Sequence, residues 1–301
     1  MNLSANSMLE GKYGYEKMHE IYGKAGFECN DYGLERLKND EDVLNSESFR
    51  TEAENIRKSA ARNGLTVNQI HAPFSWSNKL WLDDSFFEET IFPRIVRSLE
   101  IAGIFGAKVA VVHPLHHFTY PGHEEEIFEV NMKYYRRLIP YAKEFGVKIG
   151  VENMYQVDPR RKHIIADTCA KIPEFIRYID TLDSEQITAC LDIGHTTLVE
   201  QLDEPWDFVR ALGHDRLGAL HVHDTDYRGD LHTHPYNGII NWGEVTRALG
   251  EIDYQGDFTY EIGAPWAKWM DDGMVEIQAR YLSELGHHLI SEIDAARPAK
   301  A

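Results

Sequence analysis

Residues able to bind a metal recur along the chain at the ends of short apolar runs. These run-end residues are His71, His113, Glu152, Asp192, His221 with His223, and Glu261. Glu152, Asp192, His223 and Glu261 follow one another at gaps of 40, 31 and 38 residues. Gathering three carboxylates in a protein interior is strongly unfavourable without a cation. Because carboxylate and imidazole ligands suit Mn, Co, Zn, Fe or Mg, the pattern predicts a divalent-metal site.

Such a site requires a fold that brings distant run ends together. The apolar runs predict strands at 66–70, 108–112, 147–151, 187–191, 217–222 and 258–262, with weaker candidates at 2–6 and 28–32. Helical patterns lie between them, near 15–25, 47–63, 87–105, 126–145, 173–182, 206–212, 242–252 and 274–293. Eight strand–helix units in 301 residues predict an α/β fold, the (β/α)8 TIM barrel, whose strand ends converge on one site. A doubly wound sheet is the alternative, but neither G-x-G-x-x-G nor G-x-x-x-x-G-K-[ST] occurs.

Each of these residues, taken alone, also has an ordinary structural interpretation. Asp192 could cap a helix, and Glu152 could form an ion pair at the barrel mouth. His221 is more typical of a core histidine whose ring nitrogens form hydrogen bonds inside the protein, whereas His223 lies closer to the following loop. The residues alone therefore leave open which of the two histidines is the ligand.

Four motifs in order resemble the xylose isomerase-like TIM-barrel superfamily, and within it the sugar phosphate isomerases/epimerases. They are V-E-N-M at 151–154, L-D-I-G-H at 191–195, A-L-H-V-H-D-T-D at 219–226 and Y-E at 260–261. In the ketose 3-epimerases of this superfamily, four such side chains hold a divalent ion, often Mn. The resemblance implies Glu152, Asp192, His223 and Glu261 as ligands of Mn, with Co, Mg or Zn as alternatives.

The same resemblance implies roles for other residues. Glu152 and Glu261 would move a proton next to a carbonyl through a metal-stabilised enediolate, and His195 would orient the substrate. Asp158 and Arg228 would contact the substrate. The implied enzyme is a sugar isomerase or epimerase. Alternatively, the same enolate would expel a leaving group, as in a lyase or dehydratase acting on a keto-sugar or 3-keto-glycoside.

The chain also resembles the endonuclease IV-type phosphodiesterases, which hold three zinc ions in the same barrel. Their additional ligands resemble His71, His113, His195, Asp230 and His232, so these positions are candidates for a second metal or for substrate binding. A DNA-binding face is basic, but this chain has 49 acidic against 31 basic residues and a net charge of -18. The charge therefore argues against a nucleic-acid partner.

Loop residues after the predicted strands fit a sugar pocket. His116, Trp76 and Trp266 are candidate substrate contacts, and His116 could also act as an acid or base. The expected ligand is therefore a small sugar or sugar derivative. Because relatives in this superfamily often form oligomers, we also expect a homo-oligomer.

Composition bounds the remaining possibilities. We expect a single TIM-barrel domain over 1–301 with a frayed tail from about 295. Three cysteines cannot build a disulfide framework and favour a reducing compartment, hence a cytoplasmic location. The sequence contains neither a membrane-spanning apolar run nor the pattern of a signal peptide.

Overall fold

The computed structural model describes residues 1–74, 84–116, 119–200 and 202–299, apart from the side chains of Asp84, Pro265 and Trp266. Its strands are β1 (Leu3–Asn6), β2 (Cys29–Gly33), β3 (Thr66–His71), β4 (Val109–Val111), β5 (Lys148–Glu152), β6 (Tyr155–Val157), β7 (Ile164–Ala166), β8 (Ile187–Asp192), β9 (Leu217–His221) and β10 (Phe258–Tyr260). Strands β1–β5 and β8–β10 form one parallel sheet in the order β10-β1-β2-β3-β4-β5-β8-β9.

The two edges of this sheet meet and close it. The Val222 amide donates to the Thr259 carbonyl at 2.9 Å, and the Glu261 amide donates to the Val222 carbonyl at 3.1 Å. These bonds join the ends of β9 and β10, which lie at opposite ends of the sheet order. The predicted TIM barrel is confirmed.

Helices follow the strands and pack their apolar sides on the barrel. They are α1 (Glu10–Ala25), α2 (Phe49–Arg62), α3 (Asp84–Phe86), α4 (Phe92–Phe105), α5 (Glu124–Phe145), α6 (Ile172–Leu182), α7 (Pro205–Arg216), α8 (Trp242–Glu251) and α9 (Asp272–Ala295). Helix α5 ends at Gly146, as predicted, where φ is +70° and a side chain would be strained. Helix α1 is interrupted at Gly14, whose φ of +72° and ψ of 163° are not helical, so its continuous part begins at the predicted start, Tyr15.

The barrel interior carries a chain of buried polar side chains. Ser4 donates to Asn68 at 2.8 Å, and Asn68 donates to Thr259 at 3.2 Å. Higher in the barrel, Gln69 Nε2 donates to Asp31 Oδ2 at 3.1 Å. Buried polar groups persist when they are hydrogen-bonded, so this chain fixes side chains below the mouth.

The hairpin formed by β6 and β7 follows β5 directly and was not predicted. Its strands have three residues each and are largely half-buried, too short and too polar for a strand pattern. Asp158 holds its turn, because the amides of Arg160 and Arg161 donate to Asp158 Oδ1 at 2.7 and 2.8 Å. The hairpin thereby brings Tyr155, Gln156 and Val157 of β6 to the barrel mouth.

Two further features concern the helices and the cysteines. Within the described ranges, no helix is both long enough and apolar enough to cross a bilayer. Cys29, Cys169 and Cys190 are free thiols in the interior. Burial raises the pKa of the Cys29 thiol to about 11, so it is not a reactive thiolate at neutral pH.

Candidate functional site

Four side chains with metal-binding groups meet where the barrel strands end. Glu152, Asp192 and His221 are the last residues of β5, β8 and β9, and Glu261 directly follows β10. One ligand atom from each lies within 4.8 Å of those of the others. We call Glu152, Asp192, His221 and Glu261 the central group.

The structure places His221 in the central group, whereas the resemblance had suggested His223. Asp192 pairs with His221 across the β8–β9 ladder, so these two residues lie at the same level of the barrel. His221 Nδ1 is 2.7 Å from Glu152 Oε1 and 3.3 Å from Glu261 Oε2. His223 lies two residues further along the chain, and its Nε2 reaches Asp192 at 3.0 Å from the outer side.

His223 instead belongs to a second cluster, the outer group of His195, His223, Asp230 and His232. The Nε2 atoms of His195 and His223 each lie 3.6 Å from an Asp230 oxygen, and that of His232 lies 2.9 Å away. On the other side of Glu152, His71 and His113 form a side group with it. Their Nε2 atoms are 3.7 and 2.9 Å from Glu152 Oε2.

Backbone carbonyls fix the orientation of three of these histidines. His71 Nδ1 donates to the Ala72 carbonyl at 2.8 Å, and His195 Nδ1 donates to the Asn153 carbonyl at 2.9 Å. His232 Nδ1 donates to the Glu261 carbonyl at 2.7 Å. A carbonyl only accepts, so Nδ1 carries the proton and a neutral ring presents a bare Nε2 to the carboxylates. This is the form in which histidine ligates metals.

The neighbouring carboxylates raise the pKa of two of these histidines. Burial opposes protonation of His195, but the neighbouring Asp192 and Asp230 outweigh it and raise its pKa to about 10. Burial likewise opposes protonation of His232, yet Asp230 and Glu261 raise its pKa to about 9. At His113 burial dominates and lowers the pKa to about 4. The site therefore attracts positive charge strongly.

Buried oxygen atoms in these groups lack hydrogen bonds. Among the described residues, Glu261 Oε2 in the central group and Asp230 Oδ1 in the outer group are buried without a hydrogen-bond partner. Leaving such oxygens unpaired is costly, and a cation at either group would satisfy them. The donor set, the histidine orientation and these oxygens all fit divalent-metal binding.

A cavity of about 380 Å³ opens over the three groups. Most of its lining side chains are polar or ionisable, and Phe74, Met154, Tyr155 and Val157 add aromatic and apolar surface. The lining residues are His71, Phe74, His113, His116, Glu152, Met154, Tyr155, Gln156, Val157, His195, Asp230, His232 and Glu261.

The predicted substrate contacts lie in different places. His116 lines the cavity, and its Nδ1 donates to Asp167 Oδ2 at 2.5 Å. Asp158 lies in the hairpin turn, and Arg228 lines a separate cavity of about 740 Å³, so the structure brings neither to the central group. Trp76 lies outside the described residues, as does the side chain of Trp266.

Residues that support the site were missed by sequence reasoning. Asn153 pairs with the backbone of Asp192, accepting from its amide at 2.8 Å and donating to its carbonyl at 3.0 Å. Tyr155 donates to Asp230 at 3.0 Å, and Asp31 lies 3.4 Å from His221 Nε2. Only Asn153, adjacent to Glu152, carried a usable signal, because Asp31 is on a weakly predicted strand and Tyr155 is on the unpredicted hairpin.

Comparison with known proteins identifies the family. A family profile described as xylose isomerase-like TIM barrel matches residues 22–280. The chain belongs to this family. An uncharacterised protein of Methanocaldococcus jannaschii is 30% identical to this xylose isomerase-like barrel over 195 residues, which are 64% of this chain and 63% of that protein. A D-psicose 3-epimerase of Enterocloster bolteae is 25% identical over 269 residues, covering 85% of this chain and 82% of the relative.

Solved structures share the architecture of this xylose isomerase-like barrel over nearly its whole length. A D-tagatose 3-epimerase-like protein superposes with a TM-score of 0.74 at 22% identity, covering 98% of this chain and 99% of the other. The 3-keto-D-glucoside 4-epimerase of E. coli gives a TM-score of 0.69 at 17% identity, covering 94% and 99%. At these identities the similarity establishes the common fold.

Proposed function

We propose that this xylose isomerase-like barrel is a divalent-metal-dependent sugar isomerase or epimerase. The observation that carries the proposal is the central group, in which three carboxylates and a histidine from four strand ends lie within 4.8 Å. The similarity to a D-psicose 3-epimerase supports a sugar as the substrate. The cavity above the central group offers both aromatic faces and hydrogen-bonding groups for such a ligand.

Glu152, Asp192, His221 and Glu261 would hold the cation, with Mn expected and Co, Mg or Zn as alternatives. A bound divalent cation would polarise a sugar carbonyl and stabilise the negative charge that develops during deprotonation. The outer group offers a second position, with His223 as one of its ligands.

Glu261 and Glu152 are our candidates for the proton-transferring bases. One carboxylate takes the proton from the carbon next to the carbonyl, and the C–H electron pair moves toward the carbonyl oxygen to give an enediolate. Return of a proton from the second carboxylate on the opposite face inverts the carbon, which is epimerisation. Return to the neighbouring carbon gives isomerisation.

Histidines at the cavity wall would position the sugar. His195 exposes Nε2 after its Nδ1 has bonded the Asn153 carbonyl, so it can bind a sugar hydroxyl. His116 is oriented in the same manner by Asp167, which is itself held by Gln156 at 3.1 Å. We propose both as substrate-binding residues, and His116 also as an acid or base.

The outer and side groups favour a second candidate, a zinc phosphodiesterase with several ions. The net charge of -18 opposes it, because a DNA substrate requires a basic surface. We further propose that the protein is a cytoplasmic homo-oligomer and that it binds no nucleic acid. Sedimentation equilibrium would test the oligomeric state, and a filter-binding assay with abasic DNA would test nucleic-acid binding.

Metal analysis by mass spectrometry, after stripping and reloading with Mn or Zn, tests the proposed site. We expect a tightly held ion, preferring Mn or Co, that is lost in Asp192→Asn and kept in the control Asp180→Asn, an exposed change on α6. Three zinc ions per chain together with cleavage of abasic DNA would favour the phosphodiesterase. A protein that retains no metal would overturn the assignment of the central group.

A further inference from the structure

A second cavity, of about 480 Å³, lies beside the first at the barrel mouth. Its wall is built from the ends of β1 and β2 and the start of α1. The residues that line only this cavity include Asn6, Met8, Gly11, Asp31, Glu35 and Arg36. Its volume lies within the range of ligand pockets, roughly 300–1,000 Å³.

The two cavities share a wall at the proposed reaction centre. His71, Phe74 and Glu261 line both of them. The Phe74 ring packs against His71 and His113, with ring centres 4.7 and 4.5 Å apart. Its backbone is fixed, since the amide donates to Glu35 at 2.6 Å and the carbonyl accepts from Lys38 at 3.0 Å. One ligand could therefore extend across Phe74 from one cavity into the other.

The second cavity presents hydrogen-bond acceptors. Asp31 is 2% exposed and Asn6 is half-buried, and the Oδ1 atom of each is buried without a hydrogen-bond partner among the described residues. Each of these oxygens would gain a hydrogen bond from a donor placed beside it. Sugar hydroxyls are such donors, while Met8 and Phe74 offer apolar contact to the C–H faces of a ring.

Charge in this cavity disfavours an anionic unit. Arg36 is the only arginine or lysine among the described lining residues, and it is already paired with Glu10 at 3.0 Å and with Asp42 at 2.9 Å. Glu35, Asp31 and Glu261 add negative charge to the same wall. A phosphate or carboxylate placed here would meet carboxylates without a free cation.

We propose that the second cavity is a sugar subsite and that the substrate is a neutral disaccharide or glycoside. Its reacting keto-sugar unit lies in the first cavity, and its second ring lies beyond Phe74 against Asn6 and Asp31. This inference rests on the proposed function and makes it more specific, because it excludes a free monosaccharide as the preferred substrate.

Deuterium uptake from heavy water tests the inference with matched sugars. The probes are D-fructose and three disaccharides of glucose and fructose. Glucose is attached to the 3-oxygen of fructose in turanose, to the 4-oxygen in maltulose and to the 6-oxygen in isomaltulose. We expect at least one disaccharide to exchange with a kcat/KM about tenfold above that of D-fructose. A tenfold difference corresponds to about 1.4 kcal/mol of additional binding energy. Faster exchange of D-fructose than of all three would overturn the inference while leaving the proposed function intact. Exchange of none of the four, nor of D-psicose, would contradict the proposed function and the inference together.

A blocking variant locates the second ring. Gly11 is the second residue of α1, and an added Cβ would meet no atom within 4 Å, so Gly11→Leu and Gly11→Phe should fold. We expect both variants to lower the kcat/KM for the disaccharide relative to that for D-fructose. Gly11→Phe should have the larger effect and lower this ratio by about tenfold. Gly243→Phe is the matched control, at the exposed second position of α8 and outside the cavity lining. An unchanged ratio in both folded Gly11 variants would place the second ring elsewhere and contradict the subsite.

Discussion

At the scale of single residues, the site depends on the level at which each side chain leaves its strand. His221 and His223 lie two positions apart and point to the same side of an extended chain. Only the β8–β9 register, which pairs Asp192 with His221, assigns them to different groups. Because sequence spacing cannot supply that register, the two histidines could not be distinguished before the structure.

Replacing the two histidines separately tests their assignment. We expect His221→Gln to lower metal affinity and turnover by more than ~100-fold, because losing even a supporting partner of a ligand costs about 10–100-fold. His223→Gln should leave the central ion bound. Metal titration of both variants measures this, with the exposed His288→Gln as a control. Retention of the central ion in His221→Gln, with loss in His223→Gln, would reverse the assignment.

Asp31 provides a second test at this scale. It lies 3.4 Å from His221 Nε2 and accepts from Gln69, so it orients the histidine whose Nδ1 faces Glu152. We expect Asp31→Asn to weaken metal binding about 10–100-fold, since such partners fix the ring and raise its basicity. Isothermal titration with Mn measures the change. Unchanged affinity would mean that Asp31 does not support His221.

At the scale of secondary-structure elements, apolar runs predicted β3, β4, β5, β8, β9 and β10, because buried parallel strands are largely apolar. Strands β1 and β2 carry more polar residues and were only weaker candidates, and the structure contains both. The β6–β7 hairpin could not be predicted, since its short strands are largely half-buried and its turn depends on one side chain, Asp158. The family resemblance gave Asp158 to the substrate, whereas its hydrogen bonds hold this turn. Elements specified by burial were therefore predictable, and elements specified by local hydrogen bonds were not.

Helix α6 carries a carboxyl whose protonation affects stability. Burial is the main reason that the pKa of Glu174 is raised to about 7, although the Tyr120 hydroxyl and the Cys169 amide oppose the shift. The folded state therefore binds this proton more tightly than the unfolded state, and stability should fall as pH rises from about 4.5 to about 7. We expect Glu174→Gln to flatten that decline in melting temperature between pH 5 and 8. The exposed Glu129→Gln should follow wild type, and parallel profiles for all three proteins would contradict the raised pKa.

At the scale of the whole molecule, carboxylates from several strand ends meet at the barrel mouth of a chain whose net charge is -18. A cation that binds only the folded barrel stabilises it by mass action, by about 2.7 kcal/mol at 100 times its Kd. We therefore expect Mn to raise the melting temperature of the stripped protein and a chelator to reverse the increase. Asp192→Asn should abolish the response. An equal increase in that variant would assign the stabilisation to surface charge.

The most direct measurement of the proposed chemistry is the incorporation of solvent deuterium into a sugar, catalysed by the Mn-loaded protein. The sugars are D-psicose, D-fructose, turanose, maltulose and isomaltulose. We expect deuterium at the carbon next to the carbonyl with wild type, and at least ~100-fold slower uptake when His221 is replaced by Gln. Absence of uptake from every one of these sugars, in protein whose bound metal has been verified, would contradict metal-dependent proton transfer at the central group.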